Sequence, residues 1–178
     1  MIISLSGKIG AGKTTAARYL SQRYGYHVLS TRRLLSDILV ANGKKVDRRS
    51  LQDLGKELVA VIGPSGFVVA MLEYLPKGNY VIDAIRYAKA VDYLRLKYPN
   101  RYKHFHISVE ESLREKRLRN KQDLLEKTIE KEADKAPTEL DNDALRQVAD
   151  ADITNNNSRE EFYLAIVHAI KAKKIDDD

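Results

Sequence analysis

Gly7-Lys8-Ile9-Gly10-Ala11-Gly12-Lys13-Thr14 is the stretch from which the rest of the chain can be read, and it has the form G-x-x-x-x-G-K-[ST]. Before it, Met1-Ile2-Ile3-Ser4-Leu5-Ser6 reads as a short buried strand, and after it the residues from Lys13 to Leu20 read as a helix. Strand, glycine-rich loop and helix in that order are the context of a phosphate-binding loop. Glycines at 7, 10 and 12 let the backbone curl until its N–H groups converge on phosphate oxygens. The dipole of the following helix favours the same negative charge. In this reading Gly7, Lys8, Gly10, Ala11, Gly12 and Thr15 cradle the phosphates of a nucleoside triphosphate. Lys13 reaches the β- and γ-phosphates, and the Thr14 hydroxyl holds Mg²⁺. A glycine-rich turn with an exposed lysine is the bland alternative, and the flanking elements argue against it.

Composition narrows what surrounds the loop. A length of 178 residues suits one domain spanning 1–178, long enough to bury a core. No apolar run is long enough to cross a bilayer, and the opening residues read as strand and loop rather than as a secretory leader. The absence of cysteine excludes disulfides and a cysteine-ligated zinc lid, which fits a cytoplasmic protein. The net charge of +6 and pI near 9.4 favour an anionic partner. The basic residues are scattered and aromatics are few, so a nucleotide is favoured over nucleic acid.

Outward from the loop, strands alternate with helices. A helix to residue 24 is stopped by Gly25, and residues 26–30 form a second strand. Ser30 or Thr31 caps a helix over 32–41, and Asp47 caps another with Leu51, Leu54, Leu58 and Val61 on its inner face. Gly63-Pro64-Ser65-Gly66 breaks that helix, which resumes over 67–75. Residues 80–83 are an apolar strand ending in Asp83; a helix over 88–97 leads to a strand over 104–108. A basic helix spans 109–121, and 122–140 is polar and weakly periodic, a candidate mobile segment. Asp141 is positioned to cap a short helix to 148, residues 152–155 form a fifth strand, and Ser158 with Glu161 makes a capping box for a last helix over 159–172. This order predicts an α/β fold, a parallel five-stranded sheet with helices on both faces. Ligands then sit at the carboxyl ends of the strands, where Gly7, Ser30, Asp83, Ser108 and Asn155 share one rim.

Several residues on that rim have chemistry to offer. Asp83 can approach Mg²⁺ through water or orient an attacking oxygen, or else cap the next helix. Arg86 is in reach of an anionic second substrate, or forms a surface ion pair. Arg114 and Arg117 share one helix face and can meet the charge that spreads over a transferring phosphoryl group, while Arg119 points elsewhere; a solvated basic face is the alternative. Arg32, Arg33, Arg48 and Arg49 are candidates for an acceptor phosphate. Asn155 and Asn156 can approach a nucleotide base or simply form a turn. His104 and His106 alternate along a strand and read as packing rather than as metal ligands.

With these residues placed, the chain resembles the P-loop kinases of the nucleoside monophosphate kinase group. The carriers are Gly7 to Thr15 and Tyr80-Val81-Ile82-Asp83-Ala84-Ile85-Arg86, which looks like the strand-end D-x-x-R of deoxynucleoside monophosphate kinase-like and dephospho-CoA kinase-like proteins. Ile107-Ser108-Val109 followed by Arg114, Arg117 and Arg119, and Ala151-Asp152-Ile153-Thr154-Asn155-Asn156, add to it. The resemblance implies a three-layer α/β/α core, a helical acceptor-binding insert at about 31–75 and a LID at about 120–140. It also implies in-line transfer from Mg-ATP to a small-molecule phosphate acceptor, most simply a (deoxy)nucleoside monophosphate, by a monomer or homodimer. No arginine lies between Arg119 and Arg146, so cations in the LID would be Lys121, Lys127, Lys131 or Lys135. The runner-up enzyme is a dephospho-CoA-type kinase; the runner-up from another class is an NTP-dependent switch or assembly factor acting on RNA.

Overall fold

A computed structural model describes residues 1–73, 77–120 and 141–172. The LID expected at 120–140 and its four lysines, the last residues of the helix expected to end at 75, and the tail lie outside the described residues, as does the side chain of Arg48.

The sheet forms from the five apolar runs. β1 (Ile2–Ser6), β2 (His27–Ser30), β3 (Tyr80–Asp83), β4 (Tyr102–Ser108) and β5 (Ala151–Thr154) pair in the order β2-β3-β1-β4-β5, all parallel. The helices are α1 (Lys13–Tyr24), α2 (Thr31–Ala41), α3 (Arg48–Glu73), α4 (Ala88–Lys97), α5 (Glu111–Asn120) and α6 (Asn142–Gln147) in the crossovers, and α7 (Arg159–Lys171) after the last strand. β1 is central and buried at every position, because an all-parallel sheet is covered on both faces.

Period-2 alternation sorts the core into two halves. Ile3, Leu5, Val81, Phe105 and Ile107 face α1 and α7, meeting Ala16, Ala17, Leu20, Phe162 and Ile166. Ile2, Tyr80, Ile82 and Tyr102 face the other way, against Val68, Val69 and Leu72 of α3, Val91 and Leu94 of α4, and Leu145 of α6. Each such side chain is worth about 1.5–3 kcal/mol of burial, so together they clamp the two helical layers onto the sheet.

The expected helix break is a bend within α3 at Gly63, whose φ of 75° and ψ of 167° leave the helical region. Ser30 is the cap of α2, accepting from Arg33 N–H at 3.3 Å, and Asp47 Oδ1 accepts from Ser50 N–H at 2.9 Å. Asp141 stands at the N-cap of α6 as expected, its carbonyl accepting from Leu145 N–H at 2.8 Å, but its carboxylate makes no cap bond there and instead accepts from Ala88 N–H at 2.8 Å at the start of α4. Among the described residues no single helix is long and apolar enough to cross a membrane.

Candidate active site

Register places the site. Ser30 pairs with Asp83, Asp83 with Leu5, Ser6 with His106 and Ser108 with Thr154, so all five strands end at one edge of the sheet. A cleft of about 910 Å³ opens there, lined by Gly7, Ile9, Gly10 and Gly12 to Thr15 of the loop together with Ser30, Thr31, Arg32, Asp83, Arg86, Arg117 and Asn155, among others, while Lys8 and Ala11 face a smaller cleft beside it. That volume stands near the top of the range for small-molecule sites.

The loop is fitted to its surroundings. An added Cβ on Gly12 would sit 2.3 Å from Asn155 Nδ2, the same nitrogen that donates to Ala11 O at 2.7 Å. Lys13 Nζ curls back over the loop and donates to Gly7 O at 2.5 Å and Lys8 O at 2.9 Å. Thr14 Oγ1 donates to Asp83 Oδ2 at 2.9 Å, so the hydroxyl and the carboxylate expected to serve one cation meet across 69 residues of chain. Two oxygens of this kind suit a hard divalent ion. The peptide that follows Asp83 is cis.

The arginines divide by what they touch. Arg117 lines the cleft; its Nη2 donates to Asn155 O at 2.9 Å, while its Nη1 is buried with no hydrogen-bond partner among the described residues. An orphaned guanidinium N–H at a cleft wall costs free energy until an acceptor arrives. Arg114 shares the helix face but is 5% exposed and faces the loop. Its Nε and Nη2 donate to Glu111 Oε1 at 3.0 and 2.5 Å, and its Nη1 reaches Ile9 O at 3.2 Å. Glu111 also pairs with Lys8 at 3.4 Å, and the Arg114 hydrogen bond holds its carboxyl below the usual range. Arg114 thus braces the loop from behind. Arg119 points away and pairs with Glu115, as expected.

Of the acceptor candidates, Arg32 and Arg86 line the cleft. Arg33 and Arg49 are exposed and not part of its lining; Arg49 lies 3.8 Å from Asp53. The Ser30 cap sets the phase of α2, and that phase separates Arg32 from its neighbour. Arg18 and Arg159 were missed and also line the cleft. Their signal was positional only, one turn beyond Thr14 and just after the β5 rim. With Lys13, Arg32, Arg86 and Arg117 they set, among the described residues, six cations against the carboxylate of Asp83. Such a wall focuses potential on a polyanion. Asn156 Oδ1 accepts from Glu110 N–H at 2.8 Å and its amide donates back to Glu110 Oε1 at 3.0 Å, a bracket between β5 and α5 rather than a base contact.

Behind the loop lies a polar column on the α4/α6 face. Ser4 Oγ bonds Tyr102 Oη at 2.6 Å and His104 Nδ1 at 2.7 Å; Ser6 Oγ bonds His104 Nε2 at 3.0 Å and His106 Nδ1 at 2.9 Å. Packing, the expected role of the two histidines, is only half of it. Burial, with His106 adding to it, pushes His104 down from 6.5 to about 4, so the folded chain holds it neutral. The unfolded chain binds that proton below about pH 6.5, so stability is full above 6.5 and is lost as pH falls towards 4. Denaturant titrations at pH 7.5 and 4.5 are expected to show this loss, and a His104→Gln variant a shallower one. Equal pH dependence in both would remove His104 as its source.

No family model matches the chain, and no curated protein does. Solved structures do. Shikimate kinase from Aquifex aeolicus aligns at TM-score 0.61 and 16% identity over 96% of this chain and 96% of that one. TT1252 from Thermus thermophilus aligns at 0.59 and 21% identity over 97% and 98%. Dephospho-CoA kinase from Campylobacter jejuni aligns at 0.55 and 18% identity over 95% and 94%. The chain has the α/β fold of P-loop kinases over nearly its whole length.

Proposed function

We propose that the protein is an ATP-dependent kinase that transfers the γ-phosphoryl group of Mg-ATP in line to a small anionic acceptor, first among them a (deoxy)nucleoside monophosphate. The observation that carries this reading is the arrangement of one cleft: Lys13 and the Thr14–Asp83 pair on one side, Arg32 and Arg86 at the ends of neighbouring strands. A nucleotide-binding module without a second substrate has little use for arginines beyond the strand that carries Asp83.

On binding, Lys13 would exchange the carbonyls of Gly7 and Lys8 for phosphate oxygens, and the loop N–H groups would hold the remainder. Thr14 and Asp83 would hold Mg²⁺, Asp83 through water, and the ion would offset charge building on the phosphoryl oxygens. Arg117, whose Nη1 is buried without a partner among the described residues, would turn it to the donor phosphates, while Arg86 and Arg32 would hold the acceptor anion so that its oxygen meets the γ-phosphorus in line. The insert at 31–75 would then be the acceptor-binding region, and 120–140 a LID that excludes water.

The test is ADP formation with Mg-ATP against a panel of ribo- and deoxynucleoside monophosphates plus dephospho-CoA. Turnover of roughly 1–100 s⁻¹ with one acceptor class is expected. Turnover with dephospho-CoA alone would give the runner-up enzyme, and slow hydrolysis stimulated only by RNA would replace the kinase reading with a switch. Within the kinase, Arg86→Ala is expected to raise the acceptor KM about tenfold or more, the worth of a charge-assisted hydrogen bond, with ATP affinity nearly constant. Unchanged acceptor kinetics would take Arg86 out of the site.

A further inference from the structure

The column Tyr102–Ser4–His104–Ser6–His106 has no part in the transfer, yet it ends at the phosphate loop. His106, 6% exposed, lines a second cleft of about 230 Å³ with Lys8 and Ala11 of the loop, Ser108 of β4, and Asp143 and Arg146 of α6. Every link of the column joins groups that can both give and accept, so the protons choose between two directions.

One direction satisfies every buried proton. Tyr102, 2% exposed, has Ser4 as its hydrogen-bond partner and donates to it. Ser4 then donates to His104 Nδ1, His104 Nε2–H donates to Ser6, and Ser6 donates to His106 Nδ1. His106 is left with its proton on Nε2, turned to the small cleft. The reverse direction strands the Tyr102 hydroxyl proton in the core. A protonated His106 would have to donate from Nδ1 to Ser6, which likewise leaves one buried O–H without an acceptor. The column therefore favours a neutral His106.

The charges facing His106 are set to change when the loop fills. Lys13 of the loop and Arg146 of α6 oppose its protonation, Asp152 of β5 and Asp143 of α6 favour it, and His104 lies behind it in the column. A polyphosphate on Lys13 removes the first of these and brings negative charge to the same loop. We propose that filling of the phosphate loop is linked to proton uptake by His106: neutral with its proton on Nε2 in the free protein, the ring takes one proton from solvent as a polyphosphate binds. This rests on nucleotide binding at the loop as proposed above. By reciprocity, polyphosphate affinity rises as pH falls through the bound-state titration of His106. Burial, which already holds the free ring below its ordinary range, acts in the same sense as the column.

The experiment is calorimetric titration of the full chain with the Mg²⁺ complex of a β,γ-imido ATP analogue, at pH 6 and pH 8, in two buffers of different ionisation enthalpy. Wild type is compared with His106→Asn, whose amide keeps the Ser6 bond; the difference cancels the analogue's own titration. An excess proton uptake in wild type at pH 6, lost at pH 8, is expected. Equal uptake in the two proteins overturns the linkage while leaving nucleotide binding intact. No binding in either overturns the nucleotide reading and the linkage with it. Histidine ring ¹⁵N spectra of wild type read the same quantity without a variant. They should show Nε2–H on both column rings in the free protein and an upward shift of the His106 titration with the analogue; Nδ1–H on His106, or no shift, overturns the proposal.

Discussion

A Lys13→Ala variant is expected to lose at least two orders of magnitude in kcat for phosphoryl transfer and most of its affinity for Mg-ATP. Among the described residues six cations line the cleft, so the loss of one is not simply a loss of net charge. Lys13 differs from the others in place: its ammonium lies on the Gly7 and Lys8 carbonyls, at the mouth of the loop where the terminal phosphates would lie. Once exchanged from those carbonyls to phosphate, the ammonium would meet charge developing in the transition state, and removal of one such donor costs about 10²–10³ in kcat. The side chain also ties both carbonyls at the loop entry, so its loss loosens the curl that aims the N–H groups. Lys13→Arg restores charge but replaces a compact ammonium by a planar fork of different reach and donor geometry, and is expected to recover little. Nucleotide titration and steady-state turnover measure both effects. Affinity and turnover equal to wild type would end the assignment of this loop to phosphate.

Why the loop was legible and other parts were not follows from the range of the interactions. The loop is legible because its glycines, with the strand before it and the helix after it, form a pattern local in sequence, although Ile107, Arg114 and Asn155 pack against it from far along the chain. Helix starts with a side chain just ahead of them, such as Ser30 and Asp47, were legible for the same reason. Asp141 looked equally local, yet its carboxylate bonds the start of α4, a helix that begins 53 residues earlier, and no local pattern encodes that choice. Arg114 and Arg117 have the same helical phase, but one is drawn onto Glu111 and Ile9 behind the loop and the other lines the cleft. The polar column depended on register: only the pairing of Ser4 with His104 and Ser6 with His106 brings two serines against two histidines. A signal was present, since serines alternating with Ile3 and Leu5 in a buried strand require partners from the next strand.

Gly7→Ala is expected to be the most destabilising small substitution in the loop, and Gly43→Ala is its control. Both glycines have positive φ, 129° and 64°, so both variants carry backbone strain of about 1–3 kcal/mol. They differ in what a methyl group would meet. At Gly43 nothing lies within 4 Å, whereas at Gly7 the new Cβ would stand 2.3 Å from the carbonyl oxygen of Ile107. That oxygen belongs to the backbone of β4, which the ladder to β1 and β5 fixes in place, so no side chain can swing aside. Relief requires parting the loop from β4, adding about 1–3 kcal/mol or more of overpacking. In a domain of this size each kcal/mol moves Tm by about 2–4 °C, so Gly43→Ala should melt about 2–12 °C below wild type and Gly7→Ala, with overpacking added, about 4–24 °C below it, roughly twice as far. The same displacement carries the loop N–H groups off their common focus, so nucleotide binding should fall with Gly7→Ala and persist with Gly43→Ala. Equal melting shifts in the two variants would mean that backbone conformation, and not the close approach to β4, is what requires glycine at the loop entry.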